Sequence, residues 1–333
     1  MTTKARKEQA VTLGEWANIA ITKHTGKILK HEAGVLKDKE PEELHQMRVG
    51  MRRLRSALIG FAPALDLPEI VNQKNIGKLS RSFGKLRDLD VLLDALTNQY
   101  RSLLPTAEQK SLDKVLKSLN KKREQTSKQV RETLSDGLYL DLKQGLQDWL
   151  EQPTYQQIAD FSIYPVLPDL LLPQVSKLLL HPGWLVGVKL KQGKIQFPKQ
   201  PSSKSVEQLL TEQDTILHDL RKEAKRSRYN LELFSQFYDN TYQEQIKKIE
   251  EIQEILGQIQ DCFVLIEVLE KALKSEIASQ MPELATLLTK TSYQKWQEWS
   301  ILQKQFLDER SRQELRLTIQ QPLAVQTHTK KIV

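Results

Sequence analysis

The chain has 333 residues, 39% hydrophobic and 28% charged, with 50 Lys and Arg against 42 Asp and Glu for a net charge of +8. That length suits one large domain or two ordinary ones, and only 13 Gly, 13 Pro and 6% aromatics argue against a strand-and-turn architecture and for helices. The lone cysteine, Cys262, excludes an intrachain disulfide and a thiolate zinc cluster.

Apolar residues recur at three- and four-residue spacing, which predicts helices over 8–36, 41–60, 69–103, 106–135, 138–151, 205–238, 241–279 and 291–318. The amino-terminal stretch is basic but has no continuous apolar core, so it makes a poor signal peptide. Pro41, followed by Glu42 and Glu43, fits a first helical turn at the positive end of the helix dipole. Thr106 with Gln109, and Ser205 with Gln208, match capping boxes. The greasiest run, "YPVLPDLLLPQVSKLLL", is interrupted by three prolines and a lysine and reads as too short to span a bilayer. Residues 181–205 are rich in Gly, Pro and Ser with two β-prone snatches, which predicts a linker containing a short hairpin. A cytoplasmic protein without membrane association is the expectation.

Either side of that linker the chain repeats itself at an offset of 173 residues. "LHQMRVGMRRLRSAL" from Leu44 aligns with "LHDLRKEAKRSRYNL" from Leu217, so that His45 meets His218, Arg48 meets Arg221, Arg52 meets Lys225, Arg53 meets Arg226 and Arg55 meets Arg228. The same offset lays "FGKLRDLDVLLD" from Phe83 on "LGQIQDCFVLIE" from Leu256, pairing Gly84 with Gly257 and Asp88 with Asp261. Two separated blocks aligned without a gap imply two copies of a helical unit, one over about 10–160 and one over about 165–320, packed as a single domain.

On a helix, Arg48, Arg52 and Arg55 fall within a sector of roughly 80° on one side of His45, Arg53 lies about 80° to the other side, and Leu44, Met47, Met51, Leu54 and Leu58 oppose them. The second copy makes the same stripe from His218, Arg221, Lys225 and Arg228, with Lys222 and Arg226 beside it. No acid interrupts the first ladder at i+3 or i+4, so its charges repel rather than pair. Lys23, Lys27 and Lys30 share a face of the first helix, and Lys78, Arg81 and Lys85, with Arg87 nearby, share one of the third. Glu254, Gln258 and Gln260 replace Arg81, Lys85 and Arg87 in the second copy, which makes the first the stronger half of any anion site. Asp88 and Asp261 are candidates to hold an Arg fork or histidine ring by charge-assisted hydrogen bonds. Gly84 and Gly257, unfavourable inside helices by roughly 1 kcal/mol, suggest close helix approach.

The series His45-x-x-Arg48-x-x-x-Arg52-Arg53-x-Arg55, then Gly84-x-x-Arg87-Asp88-x-Asp90-Val91, then His218-x-x-Arg221 through Arg228-Tyr229, resembles the CHAD family (conserved histidine α-helical domain) over roughly residues 10–320. The resemblance implies an all-α fold of two pseudo-symmetric four-helix repeats, with basic faces lining a central groove that binds inorganic polyphosphate without catalysis. It also raises an association with polyphosphate granules. The sequence departs from the pattern at Ser227, where leucine is common, and in the linker 181–205. Arginine offers phosphate oxygens paired donors and lysine a compact charge. Beside phosphates, His45 and His218 are expected to favour the protonated form.

A nucleic acid or other polyanion is the alternative ligand, since any phosphate chain is drawn to such a ladder, although Tyr229 is the main aromatic available for stacking. An acidic protein segment is a third. His218-Asp219 matches the His-Asp dipeptide of metal phosphohydrolases, but the partner of Asp219 in the first copy is Gln46. The remaining histidines lack ligand spacing, and Gly-rich phosphate loops and nucleophile motifs do not occur. No catalytic role, cofactor or metal is expected.

Overall fold

The computed structural model describes residues 11–198 and 201–323. The chain starts with α1 (Leu13–Lys37), α2 (Pro41–Gly60) and α3 (Gln73–Asp94), each packed against the next. α4 (Thr106–Leu134), α5 (Gly137–Glu151) and α6 (Ile163–Leu179) follow, and then α7 (Ser203–Leu233), α8 (Asn240–Leu273), the single turn α9 (Ile277–Gln280), α10 (Pro282–Leu307) and α11 (Glu309–Gln320). Strands are confined to two short antiparallel pairs, β1 (Leu65–Asp66) with β2 (Thr154–Tyr155) and β3 (Lys189–Lys191) with β4 (Lys194–Gln196). The protein is all-α.

The helix ends follow local chemistry. Thr12 accepts from the Glu15 amide while the Glu15 carboxylate takes the Thr12 amide, closing a capping box on α1. Pro41 occupies the first turn of α2 as expected. The two boxes anticipated downstream do not form. Pro105 precedes α4 and Gln109 reaches back to the Leu104 carbonyl instead, while Ser202, not Ser205, caps α7. α3 stops at Asp94 and passes into a wide π-type turn over 95–100, so the anticipated helix 69–103 is shorter and irregular at its end. The anticipated 241–279 breaks after Leu273 at the left-handed Lys274 (φ 56°), and the anticipated 291–318 is two helices, α10 and α11, divided at Asp308.

The largest departure is α6, which sequence punctuation had set aside. Pro165 falls in its first turn, and Pro168 and Pro173 sit inside it. Burial of Ile163, Leu167, Leu171, Val175 and Leu178 against α7 and α11 offsets the lost backbone bonds. Residues 163–185 are in fact long and apolar enough, by length and composition, to cross a membrane, correcting the expectation from the proline breaks. Here α6 lays one apolar face into the core.

α2 and α7 pack against each other, and residues 173 apart meet where they end. The rings of Phe61 and Phe234 touch edge to face at 5.0 Å, and Gly60 lies against Leu233. A second apolar cluster joins the two halves through Leu89, Leu96, Leu112, Cys262, Leu265 and Leu284. Beside it the buried Glu108 of α4 accepts from the amides of Glu283 (2.9 Å) and Leu284 (3.1 Å), placing a carboxylate at the positive end of α10. These contacts fix the two basic helices side by side.

Candidate functional site

α2 supplies one wall of the site and α7 the other, with α3 and α8 behind them. Leu44, Met47, Met51 and Leu54 bury the apolar flank of α2, which leaves Arg48, Arg52 and Arg55 half-buried along the opposite side. Leu217, Leu220, Ala224 and Leu231 do the same for α7.

Arg48 Nη1 donates to the Ser80 carbonyl at 2.9 Å, and Arg221 Nε donates to the Gln253 carbonyl at 3.4 Å. Donor and acceptor are both displaced by the same 173 residues. Gly84 and Gly257 explain themselves here. A Cβ on Gly84 would stand 2.7 Å from Arg48 Nη1, and one on Gly257 3.0 Å from Arg221 Nε. The glycines therefore make room for a guanidinium laid across the helix, rather than for close approach of two helix backbones. Asp88 and Asp261 do not hold these forks. Both are exposed and, among the described residues, neither makes a hydrogen bond or ion pair, although Asp88 lies close enough to favour the charged form of Arg48. The backbone carbonyls at Ser80 and Gln253 do the holding. The carboxylate that does ion-pair is Asp90, with Arg123 at 2.8 Å, and Arg123 also grips Asp38 at 2.7 Å.

At the centre Lys225 faces Arg52, its counterpart in the other copy. Burial, with Arg52, Arg221, Arg48 and Arg228 around it, pushes the Lys225 ammonium down to about 8. Tyr229 lies beneath three guanidiniums, those of Arg228 (4.6 Å), Arg53 (5.6 Å) and Arg52 (5.7 Å). It braces cations and is not free as a stacking platform. At one end His45 meets Arg87, Arg52 and Arg48, and burial followed by Arg87 holds its imidazole below the ordinary range. His218 is lowered likewise, by burial and then by Lys222 and Arg221. Both shifts favour the neutral imidazole. At the other end the guanidiniums of Arg55 and Arg81 meet over Gly77, with Arg226 opposite.

Among the described residues, Arg48, Arg52, Arg55, Arg81, Arg87, Lys85, Arg221 and Lys225 make no ion pair with a carboxylate. The Nε groups of Arg48, Arg52 and Arg55 and the Nδ1 of His218 are buried without a hydrogen-bond partner. Other anticipated ligand residues are already neutralised. Arg53 pairs with Glu232 (2.6 Å), Arg228 with Glu250 (2.6 Å) and Glu232 (2.9 Å), Arg226 with Glu223 (2.8 Å), and Lys222 with Asp219 (3.0 Å). Lys27 stands near His24 on α1, as Arg53 of α2 does, and Lys30 is exposed farther along α1. Sequence reasoning missed Glu232, Glu250 and Gly77. The acids lie one turn beyond the motif or on the partner helix, so only the helix pairing shows whom they neutralise. Among the described residues, His, Cys, Asp and Glu form no cluster of three or more able to hold a metal.

The fold and this cluster define an all-helical protein with a largely uncompensated line of cations between two paired helices. The model of the CHAD domain matches residues 19–270, and the chain belongs to the CHAD domain family. The CHAD domain from the plant Ricinus communis shares the fold with a TM-score of 0.56 at 23% identity, over 94% of each chain. PptA from Streptomyces chartreusis matches with a TM-score of 0.56 at 14% identity, over 86% of this chain and 100% of its own. A search of curated proteins gave no match.

Proposed function

We propose that the protein binds inorganic polyphosphate, without turning it over, along the basic groove between α2, α3 and α7. The observation that carries the reading is the centre of the site, where Arg48, Arg52, Arg221 and Lys225 converge from two helices without a carboxylate. Assembling like charges at this spacing costs folding free energy, and a polyanion threading past them offsets it. The line from His45 and Arg87, through Arg48, Arg52 and Lys225, to Arg55 and Arg81 suits a linear chain of phosphates with no bases to read. Nucleic acid is less favoured because Tyr229 is covered by guanidiniums.

Calorimetric titration at near-physiological salt, with long-chain polyphosphate, single-stranded DNA and RNA in parallel, tests the reading. Polyphosphate should bind tightly and lose about a hundredfold in affinity in Arg48→Ala/Arg52→Ala, taking about 1.4 kcal/mol per lost charged contact. Arg310→Ala/Arg316→Ala, on exposed positions of α11, should change it less than about twofold. Equal losses from the two pairs, or equal binding of all three polymers, would replace a defined polyphosphate site with diffuse attraction to polyanions.

A further inference from the structure

The β3–β4 hairpin lies outside the groove and is charged in its own way. From residue 170 to residue 206 the sequence contains no Asp or Glu, yet Lys177, Lys189, Lys191, Lys194, Lys199 and Lys204 fall within it. Lys191 and Lys194 are direct cross-strand partners, an arrangement that costs stability. Gln192 and Gly193, both at positive φ (50° and 74°), tie them into a tight two-residue turn with the lysines exposed on either side. Among the described residues the hairpin pairs with no third strand.

Beside it is a cavity of about 240 Å³, walled by Phe197, Pro198, Tyr293, Trp296, Ile301 and Lys304. Ile301 at its rim is 62% exposed and Leu190 on the hairpin 61% exposed, so both are accessible to a docked chain. The cavity has room for an apolar side chain. It offers no stacking face for a base: Trp296 is buried, the Tyr293 hydroxyl donates to the Pro201 carbonyl, and Lys304 covers the ring of Phe197 at 5.2 Å. Charge also argues against this chain's own ends as occupants. Residues 1–10 carry Lys4, Arg6 and Lys7 against Glu8, and residues 324–333 carry Lys330 and Lys331 with no acid.

We infer that the hairpin and the adjoining cavity dock an acidic peptide segment of a partner protein, with one large apolar side chain in the cavity and flanking carboxylates on Lys189, Lys191 and Lys194. The groove would then hold polyphosphate while a separate face recruits the partner.

The test is fluorescence anisotropy of the full chain with a short labelled Glu/Asp peptide bearing a central Phe, beside the same peptide with Ser for Phe. The Phe peptide should bind. It should weaken about tenfold on Lys189→Glu/Lys191→Glu/Lys194→Glu, and several-fold on Ile301→Ser or on replacing its own Phe. Binding should be unchanged in Arg48→Ala/Arg52→Ala, so failure here is distinct from failure of the groove. The lysines and Ile301 are exposed, and melting curves should show the variants folded. The inference is overturned if the peptide does not bind, or if its binding survives the hairpin variants and is lost in the arginine variant. It is also overturned if oligo-deoxythymidine displaces it through the same lysines. Self-association in light scattering that the same substitutions abolish would overturn it in favour of a second copy.

Discussion

α2 and α7 are built to one plan and carry charge to different ends. Each lays the arginine of its His-x-x-Arg segment across a glycine and onto a carbonyl of the next helix, Arg48 over Gly84 to Ser80 and Arg221 over Gly257 to Gln253. About two turns farther along they part. Arg55 faces Gly77 and a second arginine, Arg81, whereas Arg228 faces Glu250, Glu232 and the Gln253 amide. Glu250 occupies the position equivalent to Gly77. Glu250 and Glu232 together hold Arg228 in ion pairs that Arg55 lacks, which shows that a basic motif is not itself a measure of free charge.

Exchanging those residues should break the contrast. Gly77→Glu places a carboxylate where a Cβ has ordinary contact distance to Arg55 (3.6 Å) and Arg81 (3.5 Å), and it should cut polyphosphate affinity by more than about tenfold. Glu250→Gly should remove one of the two carboxylates on Arg228, leaving Glu232 in place, and strengthen binding about twofold, both changes read by calorimetry. No change in either would mean that this end of the line does not touch the ligand.

Gly84→Ala compares the two guanidinium seats. Its Cβ displaces Arg48 from the Ser80 carbonyl, so affinity should fall about tenfold. Stability should hold within about 1 kcal/mol, because alanine's helix preference offsets the lost bond. Gly257→Ala, with its slightly longer 3.0 Å approach, should have the smaller effect on affinity.

Lys225 sharpens the comparison through pH. Its folded value of about 8 lies below the ordinary 10.5, so in the free protein its charge is lost as pH rises through 8. The folded state's penalty is therefore full below pH 8 and is relieved between pH 8 and 10.5. Bound polyphosphate would restore the proton, so affinity should fall as pH rises from 8, with proton uptake visible as a buffer-dependent enthalpy. Lys225→Arg should flatten that slope. His45 and His218, also held low, should add proton uptake on the acid side.

The smallest effect is expected at Ser227. The structure gives this departure from the family pattern a partner, since its buried hydroxyl donates to the Gln174 carbonyl of α6 at 3.3 Å. Ser227→Ala should lower stability by about 1 kcal/mol in chemical denaturation without touching affinity.

Much of this was legible in one dimension. Helical spacing located most of the helices, the 173-residue offset located both basic segments, and Glu254, Gln258 and Gln260 in place of Arg81, Lys85 and Arg87 marked the first segment's surroundings as the more basic. The hairpin within 181–205 was also readable, because Gln192-Gly193 separates two β-prone snatches. α6 was not, since Pro165, Pro168 and Pro173 argue against a helix locally and only burial of Leu167, Leu171 and Val175 overrides them.

The sequence by itself determined that the protein is helical, that two basic segments align at one offset and that their charges lie on one flank, because periodicity and charge spacing are local properties. Tertiary structure decided which charges remain free. A carboxylate neutralises whatever stands within a few ångströms of it, so Glu232 and Glu250 could be assigned to Arg53 and Arg228 only once helices were paired. The same holds for Lys225, whose lowered basicity comes from arginines on two different helices brought together by the fold.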